Sequence, residues 1–202
     1  DHVDGAVRKT TTELLTIAGR LGEPSAVLVS APGSGAFDAA VATLAAYGAR
    51  KVYRVESADV VDHLVAPTAE VLAQLVQSAS PAAVLVPSSP DGKEVAARLA
   101  IKTGSGLVTD ATDVQAGESG PVASQSVFAG SYTLTGRVTT GTPIIAVKPN
   151  SATPEETGGT ADQVAVETVD VTVSDAAKAA RITETKPRAK SGRPEQIGRA
   201  HV

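Results

Sequence analysis

The first half of the chain alternates short, continuously apolar runs with longer amphipathic segments. The short apolar runs predict buried β-strands. These runs are SAVLVSA (25–31), KVYRVE (51–56) and AAVLVP (82–87). The segments between them repeat apolar residues every three or four positions, which predicts helices. Helices are expected after Thr10–Thr12, from about Ala36 to Tyr47, over 67–80 and over 90–104, with a short helix or turn at 60–65.

The second half changes to β-rich pieces that are separated by glycine and proline. Strands, some of them antiparallel, are predicted in GLVTDATDVQ (106–115), PVASQSVFAG (121–130), SYTLTGRVTT (131–140) and PIIAVKP (143–149). The polar stretch 150–162 predicts a loop, and the alternating QVAVETVDVTV (163–173) predicts a strand with one exposed face. We therefore expect an α/β fold of three α/β/α layers around a mostly parallel sheet, with later strands partly antiparallel.

Both ends of the chain differ from those expected of such a fold. The chain starts at Asp1, contains no methionine and enters a helix almost at once. The strand that usually precedes such a helix is therefore expected to be missing, apart from a short stub. From ARITETKPRAKSGRPE (180–195) onward, Lys, Arg, Pro, Gly and Ser dominate, as in a linker between domains. These features predict a fragment, or a processed or engineered chain, with a linker to a further domain.

Composition narrows the classes of function. Of the 202 residues, 42% are hydrophobic and 20% are charged, which is typical of a globular domain. Aromatic residues make up only 2% and the net charge is −4, so a nucleic-acid-binding module is not expected. The absence of cysteine excludes disulfides, thiolate metal centres and cysteine nucleophiles, and it fits a cytosolic protein. No apolar run is long enough to span a bilayer, and no signal-peptide pattern opens the chain.

One glycine-rich turn joins a predicted strand to a predicted helix. Gly33, Ser34 and Gly35 could offer backbone N–H groups to a phosphate at the helix N-terminus. The sequence has neither a Gly-x-Gly-x-x-Gly motif after a strand nor a Walker-type loop. We favour a tight turn in which Ser34 or Gly35 caps the helix.

A second turn, in VPSSPDGKEVAARLA (86–100), is the better candidate for a ligand site. Open α/β sheets bind ligands where a parallel strand ends and a helix begins. Ser88, Ser89, Asp91 and the backbone near Gly92 could hold a polar ligand there. The simpler interpretation, which we favour, is that Ser89 or Asp91 caps the helix.

The histidines do not suggest a catalytic or metal-binding set. His2, His63 and His201 are far apart in the sequence, and two of them lie near the chain ends. His63 has no second ligand one helical turn away, so we expect it at the surface.

Three further charged residues are candidates for binding. Asp110 and Asp113 alternate along a predicted strand and could bind a cation, although solvated or turn-capping carboxylates are the favoured interpretation. Arg137 could meet an anion or a partner, although a surface or ion-pair role is more common for a lone arginine. The sequence therefore predicts no catalytic, cofactor-binding or metal-binding residue.

Four stretches together resemble the N-terminal domain of the electron transfer flavoprotein alpha subunit. They are DHVDGAVRKTTTELLTIAGRLG (1–22), VLVPSSPDGKEVAARLAIKTGSGLVTDATDV (84–114), SVFAGSYTLTGRVTTGTPIIAVKPN (126–150) and the hinge-like KSGRPE (190–195). The resemblance covers nearly the whole chain in the correct order. It implies an adenine nucleotide alpha hydrolase-like fold over 1–186, a hinge at 187–195 and a missing FAD-binding domain beyond it. The last residues, QIGRAHV (196–202), match a translated sequencing adapter, so we expect a non-native tail.

The resemblance also implies a function. The family's alpha and beta subunits form a heterodimer that holds FAD and carries electrons from acyl-CoA and other flavin dehydrogenases to a membrane quinone oxidoreductase. Most FAD contacts come from the alpha C-terminal domain, so this chain is expected to bind the beta subunit without FAD of its own. The resemblance allows for AMP in the beta subunit. A composition rich in alanine, valine, glycine and aspartate with few lysines fits a GC-rich bacterial gene, and with the absence of cysteine we expect a bacterial, cytoplasmic protein. The alternatives are a nucleotide-binding protein of the universal-stress type and a stand-alone scaffold domain.

Overall fold

Ten strands and five α-helices occur in residues 1–186, which are the residues that the computed structural model describes. The helices are α1 (Lys9–Leu21), α2 (Ala36–Ala46), α3 (Ala58–Val61), α4 (Ala66–Ala79) and α5 (Pro90–Thr103). The strands are β1 (His2–Val3), β2 (Ala6–Val7), β3 (Ser25–Ser30), β4 (Lys51–Glu56), β5 (Val84–Pro87), β6 (Leu107–Gln115), β7 (Val122–Val127), β8 (Tyr132–Gly136), β9 (Ile144–Val147) and β10 (Ala165–Thr168).

The central layer contains two sheets. The first has the order β10-β4-β3 and is parallel throughout. The second has the order β5-β9-β6-β7-β8, in which β5, β9 and β6 are parallel while β7 and β8 are antiparallel. The prediction of an α/β fold with partly antiparallel later strands is therefore confirmed, although its parallel part is divided between two sheets.

Helices cover both faces of the second sheet at β5 and β9, which explains why these two strands are continuously apolar. Leu85 and Ile145 face α1, whereas their neighbours Val86 and Ile144 face α4 and α5. Because successive residues of a strand point to opposite faces, a strand covered on both sides must be apolar at every position. All four residues of β9 are buried accordingly.

Two helices hold the sheets together. On one face, Leu15 of α1 packs in the cluster that surrounds β3, whereas Ile17 packs in the cluster that contains Ile145 of β9. On the other face, Val71 of α4 packs in the cluster that contains Val55 of β4 in the first sheet. Val76 of α4 packs in the cluster that contains Ile144 of β9 in the second sheet. Each helix thus joins the two sheets through side chains on one apolar stripe.

The residues before α1 add no strand to either sheet, as the sequence predicted. They form the antiparallel hairpin β1–β2, whose turn contains Gly5 with a φ of 85°. His2 fastens this hairpin to β3, because its Nδ1 accepts from the Gly5 N–H at 3.2 Å while its Nε2 donates to the Val29 carbonyl at 2.8 Å. Position 5 requires glycine, because its backbone is left-handed and an added Cβ would lie only 2.5 Å from the Cβ of Ala39.

The predicted strand at 163–173 is largely wrong. Only β10 is a strand, and its four residues are all exposed. Beyond it, Val169, Val171 and Val173 pack against the cluster under α4, and the Val169 N–H still donates to the Arg54 carbonyl of β4 at 2.9 Å. The side chains of α4 satisfy the backbone there, because Gln74 both donates to the Thr172 carbonyl at 2.8 Å and accepts from its N–H at 3.2 Å. The expected hinge at 187–195 and tail at 196–202 lie outside the described residues.

Candidate functional site

Polar side chains gather at the carboxyl end of β5, beside the irregular part of β6. Ser88 directly follows β5, and its hydroxyl donates to Oδ1 of Asp110 at 2.7 Å. Lys93 Nζ lies 3.4 Å from the same oxygen. Asp110 has a φ of 55° within the irregular part of β6, between Val108 and Ala111, and such a bulge redirects a side chain. The structure therefore brings together two of the residues that the sequence singled out separately.

The negative charge of the Asp110 carboxylate is already stabilised by neighbouring side chains of the same chain. The hydrogen bond from Ser88 is the largest influence that lowers the pKa of Asp110 below its ordinary value. Burial opposes this shift, and the positive charges of Lys93 and Lys148 lower the pKa further. An ionised, paired carboxylate at this position would repel a phosphate, so the arrangement favours a structural role over anion binding.

A second polar cluster lies at the same end of the sheet, and no motif in the sequence indicated it. Glu13 of α1 is buried, and its Oε2 accepts from the Asn150 N–H at 2.8 Å. Lys9 Nζ lies 3.2 Å from Glu13 Oε1 and donates to Asn150 Oδ1 at 2.8 Å. These contacts fasten α1 to the loop after β9. The signal in the sequence that could have indicated this cluster is the acidic Glu13 beside the apolar stripe of α1.

The start of α5 is capped as the favoured interpretation predicted. Ser89 is the N-cap residue, and its hydroxyl accepts from the Gly92 N–H at 3.0 Å. Asp91 lies in the first turn, where a negative charge is favourable to the helix dipole. Of the four candidate ligand-binding positions in this turn, three therefore serve the helix start and the fourth, Ser88, bonds to Asp110.

Replacing Ser89 with alanine is expected to lower the free energy of unfolding by about 1 kcal/mol, because the Gly92 N–H loses its acceptor. Urea-induced unfolding followed by circular dichroism measures the change. Ser34→Ala is the matched control, since the Ser34 hydroxyl accepts from the Ala36 N–H only at 3.4 Å. Equal losses in the two variants would contradict the assigned cap.

The glycine-rich turn before α2 is also a helix start. Gly35 is the N-cap residue with a φ of 71°, and Ser34 makes the weak contact with the Ala36 N–H. The turn around Gly5 packs directly on the first turn of α2, against Ala36 and Ala39. The tight turn and the place of Gly35 at the N-cap position are as the favoured interpretation predicted, but the N-cap residue makes no side-chain capping hydrogen bond.

The histidines have structural contacts where the structure describes them. His2 holds the N-terminal hairpin to β3. His63 is half-buried rather than fully at the surface, because it forms an isolated antiparallel bridge with Arg181 and its Nδ1 donates to the Asp59 carbonyl at 2.9 Å. His201 lies outside the described residues.

The remaining candidates are ordinary surface pairs. Asp113 accepts from Arg20 at 3.1 Å and from Gln115 at 2.9 Å, apart from the cluster at Asp110. The exposed Arg137 contacts the Ser119 carbonyl at 3.5 Å. Within residues 1–186 there is no group of three or more His, Asp or Glu that could hold a metal ion. No helix in that range is long and apolar enough to cross a membrane.

An exposed apolar hairpin is the most unusual surface feature. We call β7, β8 and their turn (122–136) the arm. Three of its large side chains are exposed, namely Phe128 to 78%, Tyr132 to 63% and Leu134 to 50%. The rings of Phe128 and Tyr132 meet edge to face with their centroids 5.8 Å apart. Strands were predicted here from the sequence, but the exposure of their apolar residues to solvent was not.

The strand-to-helix turn at α5 does not fit the diphosphate of FAD. The Gly92 N–H is already bonded to Ser89, and the carboxylate of Asp110 lies beside the same strand end. A phosphate at this helix start would meet that negative charge and would have to displace the Ser89 hydroxyl.

Comparison with known proteins gives a consistent result. A family model described as "Electron transfer flavoprotein domain" matches residues 1–174. The chain is 43% identical over 168 residues to the electron transfer flavoprotein subunit alpha of Mycobacterium tuberculosis, covering 83% of this chain and 51% of the relative. The corresponding subunit of Mycobacterium leprae is 38% identical over 195 residues, covering 96% of this chain and 58% of the relative. The chain thus spans about half the length of the curated relatives it matches.

Proposed function

The chain belongs to the electron transfer flavoprotein family, and from this premise we propose that it is the N-terminal domain of an alpha subunit. The observation that carries the proposal is the 43% identity over 168 residues to a subunit of that name. In the complete protein, alpha and beta subunits would form an FAD-containing heterodimer. That heterodimer would carry electrons from acyl-CoA and other flavin dehydrogenases to the respiratory chain through a quinone oxidoreductase, in the bacterial cytoplasm.

Within that protein, this chain would serve as a scaffold that binds the beta subunit, not as a catalyst. Three observations on residues 1–186 support this role. Ser88, Asp110 and Lys93 at the strand ends are paired with one another, the start of α5 does not fit FAD, and three large apolar side chains of the arm are exposed. FAD would be bound by a C-terminal domain beyond the hinge, and any AMP by the beta subunit. Flavin supplies the redox chemistry in such a protein, and the polypeptide supplies binding and orientation.

Two measurements test the proposal. We expect the chain to co-purify with a beta subunit from the same organism when the two are co-expressed, and failure to do so would count against the scaffold role. We also expect that FAD added to the isolated chain gives no stoichiometric yellow complex in the visible spectrum. Such a complex would contradict a flavin site outside these residues, whereas stoichiometric binding of ATP would favour the universal-stress alternative.

A further inference from the structure

Two buried polar atoms near the start of α2 have no hydrogen-bond partner among the described residues. They are the hydroxyl oxygen of Ser30, a residue that is only 3% exposed, and Nε of Arg54. A buried polar group without a partner destabilises the fold, because it gives up its hydrogen bonds to water and gains none in return. Neither group belongs to the polar clusters around Asp110 and Glu13. Polar side chains in such positions indicate a ligand that supplies the missing partners.

Both groups lie on the face of the first sheet that α2 covers. Ser30 is the last residue of β3, and it shares its face with Leu28, which packs in one cluster with Phe37 of α2. Arg54 on β4 is the register partner of Leu28, and its guanidinium lies 4.9 Å from the centre of the Phe37 ring. The Ser30 hydroxyl is therefore directed at the space between the carboxyl end of β3 and the start of α2.

The turn that joins β3 to α2 leaves backbone N–H groups free for a ligand. Gly33 and Gly35 have φ values of 68° and 71°, and a Cβ added at either position would meet no atom within 4 Å. At Gly92, by contrast, the space of the missing Cβ is filled by the chain's own backbone. The N–H groups of Phe37 and Asp38 have no acceptor among the described residues. Because the helix dipole also favours a negative group here, the turn fits a phosphate.

The end of the neighbouring strand β4 provides a different kind of group. Glu56 is the register partner of Ser30, and its Oε1 accepts from Nη2 of Arg54 at 2.7 Å, whereas its Oε2 has no partner among the described residues. A carboxylate repels a phosphate but accepts hydrogen bonds from hydroxyl groups. In nucleotide-binding βαβ units, an acidic residue about 20 positions after the glycine-rich turn binds the ribose hydroxyls. Glu56 follows Gly35 by 21 positions and ends the second strand of such a unit.

We propose that the carboxyl ends of β3 and β4 bind a ribose 5-phosphate group, either free or as part of a nucleoside monophosphate. The phosphate accepts from the N–H groups at the start of α2 and from the Ser30 hydroxyl. Nε of Arg54 donates to the same ligand, and the ribose hydroxyls donate to Oε2 of Glu56. Asp38 adds a negative charge to the first turn of α2, so the site takes one phosphate and disfavours a diphosphate or triphosphate. This inference goes beyond the proposed function and does not depend on it.

Isothermal titration calorimetry of the chain with ribose 5-phosphate, inorganic phosphate and ATP tests the site. Ribose 5-phosphate should bind at one site and about 10-fold more tightly than inorganic phosphate, because its hydroxyl groups bond to a charged acceptor. Glu56→Gln should weaken the binding of ribose 5-phosphate by about 10-fold and leave that of inorganic phosphate equal or tighter. The matched control is Glu94→Gln, since Glu94 also pairs with an arginine, Arg98, but lies on α5. Its affinities should equal those of the unaltered chain.

AMP distinguishes the two sources of the ribose 5-phosphate group. AMP that binds at least as tightly as ribose 5-phosphate identifies a nucleoside monophosphate as the ligand. AMP that is excluded while ribose 5-phosphate binds identifies the free sugar phosphate.

A second variant separates binding from folding. Ser30→Ala removes a buried hydroxyl that has no partner in the fold, so its thermal midpoint should be unchanged or higher, while the Kd for ribose 5-phosphate and for inorganic phosphate rises by about 5-fold or more. A lower midpoint with unchanged binding would show that the hydroxyl serves the fold, for example through a bound water, and would overturn the proposal.

Three further results would also overturn the proposal. They are no binding of ribose 5-phosphate at about 10 mM, equal affinity for inorganic phosphate, and tighter binding of ATP than of ribose 5-phosphate. Co-purification with the beta subunit is measured separately, so failure of the site and failure of the proposed function are distinguishable.

Discussion

Replacing Gly92 with alanine is expected to lower the free energy of unfolding by about 3 kcal/mol, at the upper end of the usual cost of overpacking. A Cβ at this position would lie well inside van der Waals contact of the Pro87 carbonyl oxygen. That oxygen belongs to the backbone of β5, so it cannot rotate away as a side chain would. The helix start must move instead, which also weakens the hydrogen bond from the Gly92 N–H to Ser89.

Urea-induced unfolding of Gly92→Ala beside Gly19→Ala measures this effect against a matched control. Both glycines lie in helices, but a Cβ at Gly19 would meet only Pro24, at an ordinary 3.9 Å. Gly19→Ala should therefore be neutral or stabilise the chain by up to about 1 kcal/mol, as expected of alanine in a helix. If Gly92→Ala were as stable as the unaltered chain, the close packing of α5 on β5 would be refuted.

Gly92 also shows what the sequence could and could not predict. Its place between a strand and a helix suggested that the backbone there could hold a polar ligand. The structure shows that the backbone at Gly92 closely approaches the chain's own carbonyl at Pro87. From a single sequence the two reasons for a glycine look alike, since both require the missing Cβ, and only tertiary packing separates them.

Elements that depend on local pattern were predicted well. The run KVYRVE coincides with β4, and the helix expected from Ala36 to about Tyr47 ends one residue earlier, at Ala46. Contacts between distant residues were not predictable, because no local signal encodes them. Ser88 meets Asp110 across 22 positions, and His2 meets Val29 across 27. The alternation at 163–173 was misleading for a related reason, since α4 supplies the hydrogen bonds that a neighbouring strand would otherwise have made.

Replacing Glu70 with alanine is expected to lower the free energy of unfolding by about 3 kcal/mol, because one largely buried carboxylate holds three donors. Glu70 on α4 accepts from the Ser174 N–H and hydroxyl, each at 2.8 Å, and from Lys102 Nζ at 2.9 Å. These bonds tie the segment after β10 to α4 and α5. Hydrogen exchange should accelerate at 169–174 more than elsewhere. The exposed pair of Glu94 and Arg98 provides the control, since Glu94→Ala should cost less than about 0.5 kcal/mol.

Acid should remove the same stabilisation. Burial is the largest influence on Glu70 and raises its pKa, but the hydrogen bonds from Ser174 and Lys102 together outweigh burial and hold the pKa below its ordinary value of 4.5. A carboxyl group with a lowered pKa in the folded state stabilises that state above the unfolded-state pKa. The stabilisation is lost as the pH falls through the folded-state pKa. Glu70→Gln cannot ionise, so its loss of stability relative to the unaltered chain should be constant above pH 4.5 and should shrink below it. A loss that persists unchanged in acid would show that Glu70 acts through packing and not through its charge.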